Sequence, residues 1–163
     1  MGLAAGAWTW GDSDRARELG ERAQAIAIRL NDVALQTLAD YILGLSGQTA
    51  GDYLRSAEAL RRVSETLPGD RRYEILLTGA GLGSVNSRTR LVWCLAELGE
   101  FAEAMAHGEE ALQIACEADH SSSLVLVYRS LGFVFLRRGA IPQAIQALER
   151  AVELPGRRGS GPF

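Results

Sequence analysis

Lysine is absent from this chain. All 17 basic residues are arginine, and against 20 acidic residues they leave a net charge of −3. So balanced a charge gives no long-range pull toward a phosphate backbone, and no nucleic-acid partner is expected. The arginine pairs at 61–62, 71–72, 137–138 and 157–158 alternate with carboxylates and read as solvated faces and ion pairs. Cysteine is scarce: Cys94 and Cys116 both fall among apolar neighbours, read as small core residues and leave no disulfide framework, which points to a reducing, cytoplasmic setting. Two histidines, His107 and His120, do not supply the converging ligands of a zinc site or the partners of a nucleophilic triad, so neither a metal nor catalysis is expected. No apolar run reaches the roughly 18 residues that cross a bilayer, and the opening Met1–Trp8 lacks the basic leader of a secretory signal.

What the chain has is a repeated phrase. Gly11-Asp12-Ser13-Asp14-Arg15-Ala16, Gly51-Asp52-Tyr53-Leu54-Arg55-Ser56, Gly99-Glu100-Phe101-Ala102-Glu103-Ala104 and Gly139-Ala140-Ile141-Pro142-Gln143-Ala144 each read as a helix stop, a turn and a new helix with a small inward residue. The glycines are spaced 40, 48 and 40 residues apart, which conceals a duplication at an offset of 88. Gly20 pairs with Gly108, Leu43-Gly44 with Leu131-Gly132, Leu60 with Leu148 and Arg62 with Arg150. Apolar residues at three- and four-residue steps predict helices over 2–10, 13–29, 33–48, 53–67, 85–98, 101–118, 122–137 and 141–154. Asp32 and the Ser121–Ser123 run are the expected helix starts, with Pro142 in a first turn. Units that cannot close a core alone must stack, so the predicted fold is all-α, a solenoid of about four hairpins. The first two repeats fall at 1–67, a long connector at 68–84, the third and fourth repeats at 85–154 and a tail at 155–163.

Tyr128, Leu131-Gly132, Phe135, Gly139, Ala144, Leu148 and Ala151 in the fourth repeat, with Leu43-Gly44, Gly51, Tyr53, Leu60 and Val63 in the second, resemble the tetratricopeptide repeat, and the resemblance implies a right-handed superhelix. The third repeat departs from it, with Val92 at the first-helix glycine and Gly108 at a large second-helix position. The stretch from Arg71 through Phe101 is similar to repeat regions behind the ATPase module of large bacterial signalling proteins that also carry cyclase or DNA-binding domains. The resemblance implies a fragment of such a protein, in which the repeats bind a partner and the chemistry lies elsewhere.

The run Glu74–Ser84 places glycines at 79, 81 and 83, but Ser84 stands where a dinucleotide fingerprint needs its third glycine and no strand–helix alternation surrounds it. It reads instead as the connector, whose Ile75-Leu76-Leu77 is apolar enough to pack on the stack. Projecting the first helix of each repeat onto the inner face that the resemblance implies places Trp8, Leu38, Tyr41, Leu45, Trp93, Arg129, Phe133, Leu136 and Arg137 toward a concave groove. Aromatic anchors beside arginine dominate binding energy at protein interfaces. The expected role is therefore a non-enzymatic, cofactor-free interaction and regulatory module, with a peptide or a segment of the same polypeptide in the groove and its carboxylate on Arg129 or Arg137. The alternative is homo-oligomeric self-assembly through the exposed end near Trp8.

Overall fold

Helix boundaries in this chain are set by local chemistry at each corner. The computed structural model describes residues 2–66 and 81–156, apart from the side chains of Trp8 and Pro155. Its elements in order are α1 (Gly2–Thr9), α2 (Ser13–Arg29), α3 (Val33–Ala50), α4 (Tyr53–Glu65), α5 (Gly83–Leu98), α6 (Phe101–Glu117), α7 (Ser121–Arg137) and α8 (Ile141–Gly156). Among the described residues there is no strand, so the fold is all-α and built of helical hairpins. No described helix is long and apolar enough to cross a membrane.

At every hairpin turn the chain reverses through a left-handed glycine, Gly11, Gly51, Gly99 or Gly139, with φ between 74° and 81°. A side chain there would strain the backbone, which is why the phrase begins on glycine. The corners that join α2 to α3 and α6 to α7 use Asn31 (φ 52°) and Asp119 (φ 46°), which tolerate the same conformation. Asp12, Asp32 and Asp52 cap the helices that follow, each carboxylate accepting the backbone N–H three residues on at 3.0–3.3 Å. For α7 the cap is His120 and not the expected serine run: its Nδ1 accepts the Ser123 N–H at 3.2 Å. His120 lies 88 residues after Asp32, so the cap is conserved in place while its chemistry changes.

The chain divides into two compact units, residues 1–68 with α1–α4 and residues 69–163 with α5–α8. Two close approaches hold each unit, and they recur at the 88-residue offset. A Cβ on Gly44 would stand 2.6 Å from Leu60 Cγ, and one on Gly132 would stand 2.7 Å from Leu148 Cγ, so the α3–α4 and α7–α8 hairpins each close with a leucine seated on a glycine. Between hairpins the roles reverse. Gly20 on α2 receives Leu43 of α3, and Gly108 on α6 receives Leu131 of α7, at 2.9 and 2.5 Å from the same added atom. Gly108, which departs from the tetratricopeptide pattern, is thus the socket for the following hairpin.

The interior of the second unit is Leu82, Val85, Ala111, Ile114, Ala115, Val127 and Leu131, with Met105, Leu112 and Phe135 packed around it. Helix α5 starts two residues earlier than expected, at Gly83, and everything from Gly83 to Thr89 is buried. Of the predicted connector, residues 68–80 lie outside the described residues, and with them the expected packing of Ile75-Leu76-Leu77. Gly81 and Leu82 seat against α7: the Leu82 N–H donates to Ser123 Oγ at 3.0 Å. Cys94 is buried as expected, whereas Cys116 is exposed, because it lies on the outer face of α6.

Candidate functional site

The 3.6-residue period puts Arg90, Trp93 and Glu97 on one face of α5, and Arg129, Phe133 and Arg137 on one face of α7. The two helices join these faces in three rungs. In the middle rung Trp93 stacks on Phe133, ring centroids 4.2 Å apart and planes 21° from parallel. Such a pair contributes about 0.5–1.5 kcal/mol beyond its buried area. Both rings remain partly accessible.

In the rung toward the helix C-termini, Arg137 lies with its guanidinium 5.1 Å from the Phe133 centroid and bonds through Nη2 to Glu97 Oε1. This pins the aromatic pair from one side. In the opposite rung Arg129 stands near Arg90. Partial burial and the like charge of Arg90 both disfavour its charged form, and its pKa is pushed below the ordinary arginine value, burial being the larger cause. Arg129 bonds to no carboxylate among the described residues. The face therefore grades from an internally neutralised end, across an aromatic floor, to a cationic end that favours an anion.

The expected groove residues separate in the structure. Trp93, Phe133, Arg129 and Arg137 come together as described, but Arg137 is already occupied by Glu97 and Phe133, which leaves Arg129 as the better carboxylate contact. Leu136 is exposed beside them. In the first unit Leu38 is half-buried, while Tyr41 and Leu45 are only 5% and 3% exposed. These two belong to the interior and correct the expectation of an open surface there. The backbone of Trp8 lies in α1, and its side chain lies outside the described residues.

Two further ion pairs join the helices of a hairpin, one in each unit. Asp40, nearly buried, accepts on one oxygen from Gln24 Nε2 at 2.6 Å and from Arg62 Nε and Nη2 at 3.0 and 2.7 Å, and this bonding raises the Arg62 pKa. Arg88, buried in α5, reaches Glu110 on α6 at 2.7 Å and holds that carboxyl below its usual range. His107 lies beside this pair, and burial is the main cause that lowers its pKa. These are structural contacts, and Arg62, half-exposed and bonded to Asp40, makes an ion pair of the kind expected of the arginine pairs.

No cluster of three or more His, Cys, Asp or Glu side chains that could hold a metal occurs among the described residues. A depression of about 320 Å³ between α7 and α8, lined by Tyr128, Phe135, Gln146 and Arg150, is open to solvent. No family model matches the chain, and no curated protein matches it.

Proposed function

We propose that this chain is a non-catalytic protein-interaction and regulatory module of the tetratricopeptide type, a cytoplasmic fragment of a larger bacterial signalling protein. Its site is the α5–α7 face, and its ligand is a peptide, from a partner or from the same polypeptide, that lays an apolar side chain on the Trp93–Phe133 stack. A carboxylate of that peptide bonds to Arg129 as a charge-assisted pair. The observation that carries this reading is the stacked, partly accessible aromatic pair flanked by Arg129, which bonds to no carboxylate among the described residues. Aromatic and arginine side chains at the centre of a patch are those that make binding hot spots.

The test is to pan a phage-displayed random-peptide library against the purified chain and measure the enriched peptides by calorimetry. Enriched peptides should pair an apolar residue with Asp or Glu. Trp93→Ala combined with Phe133→Ala should weaken their binding at least ten-fold, with far-ultraviolet circular dichroism unchanged. Equal affinity for the double variant, or no enrichment at all, contradicts the assignment.

A further inference from the structure

Helices α1 and α8 each carry an apolar face that is exposed among the described residues. On α1 and the turn residue that follows it, this face consists of Leu3, Gly6, Ala7 and Trp10, spaced i, i+3, i+4 and i+7, with Leu3 79% and Trp10 90% exposed. The place of a Cβ on Gly6 is open space. On α8 it consists of Ile141, Ile145 and Val152, with Val152 78% exposed, together with the 40% of Leu148 that remains exposed where that side chain seats on Gly132.

The repeat register says what such faces receive. Leu3, Leu43 and Leu131 hold equivalent places in α1, α3 and α7, being 40 and then 88 residues apart. Leu43 and Leu131 seat on glycines of the preceding helices α2 and α6, and Leu131 is only 7% exposed. Leu3 has the same register and no such seat. On the other side, Ile145, Leu148 and Val152 of α8 lie 40 residues after Met105, Gly108 and Leu112 of α6. Those α6 residues receive α7: Gly108 is the seat of Leu131, and Met105 and Leu112 pack around the cluster that contains Val127 and Leu131. The α8 face therefore continues, in register, the interface by which α6 holds α7.

From this we infer that α8 of one copy receives α1 of a second copy, head to tail, in the manner in which α6 receives α7 within the second unit. The small residue changes sides at this junction. In α6 the glycine belongs to the receiving helix, whereas α8 presents Leu148 and α1 offers the space beside Gly6. Contacts of this kind use two different surfaces, so they build open chains of copies or close into rings. One helix on one helix is a small interface, below roughly 1,200 Å² in total, so association should be reversible.

The test is sedimentation velocity on the purified chain with any affinity tag removed, from about 5 to 500 µM, a span that brackets weak association. The wild type should sediment faster as concentration rises. Leu3→Glu and Val152→Glu, both at highly exposed positions, should each remain monomeric, with at least a ten-fold loss of association and unchanged helicity. An equimolar mixture of the two should form 1:1 dimers and nothing larger, because one variant keeps only its α8 face and the other only its α1 face. Three results overturn the inference: a wild type that is monomeric throughout, a Leu3→Glu variant that still associates through paired α8 faces, or a mixture that stays monomeric.

Discussion

A methyl group added to Gly132 would stand 2.7 Å from Leu148 Cγ, whereas one added to Gly51 would meet nothing within 4 Å. The two glycines are needed for different reasons, and alanine separates them. Gly132→Ala gains helix propensity worth about 1 kcal/mol but forces the leucine off its seat, so a net loss up to about 2 kcal/mol is expected. Gly51→Ala meets no atom and should lose about 1 kcal/mol through the left-handed backbone alone. Urea denaturation of the two variants measures both, and repacking the partner as Leu148→Ala should lessen the further cost of an alanine only at Gly132. His107 gives a separate handle. Its folded pKa lies below the ordinary 6.5, because burial and Arg88 outweigh Glu103 and Glu110. The unfolded chain then binds more protons just below pH 6.5, so the stability contributed by neutral His107 is complete above that pH and falls as pH falls through the folded value. His107→Gln should flatten the difference in urea midpoint between pH 7 and pH 5.5; an unchanged pH dependence would contradict this.

The elements were legible because their ends are written in local chemistry. Gly99 and Gly139 stop helices, Asp32 and Asp52 start them, and the three- and four-residue steps fix the faces between. The cap on α7 was misread because histidine is an uncommon capping residue, although its place 88 residues after Asp32 was available as a signal. His120→Ala should cost about 1 kcal/mol, and His120→Asp should restore it, as measured by thermal or urea unfolding. The site was half legible. Trp93 and Phe133 share a groove in the helical projection, but that projection says which residues lie on one face and not which neighbour covers it. Tyr41 and Leu45 were therefore placed on a groove when the structure buries them. The contacts of Arg137 with Glu97, Arg62 with Asp40 and Arg88 with Glu110 join residues 22 to 40 apart, and no helical period reports such pairings.

At the scale of the whole molecule, the second unit holds the aromatic floor, Arg129 and an apolar cluster from α5, α6, α7 and the residue before α5. Residues 69–163 expressed alone should therefore remain helical and keep the peptide affinity of the full chain within a few-fold; an unfolded fragment would contradict this. The tryptophans make the central claim directly observable, since Trp93 reports the α5–α7 face and Trp10 the exposed end of α1. The decisive measurement is a ¹H–¹⁵N correlation spectrum of the full chain titrated with a library-selected acidic peptide, at a concentration low enough to keep the chain monomeric. The Trp93 indole N–H and the amides around Arg129 and Phe133 should shift in step with binding, while the Trp10 indole stays in place. A peptide that moves Trp10 and leaves Trp93 unperturbed would contradict the account.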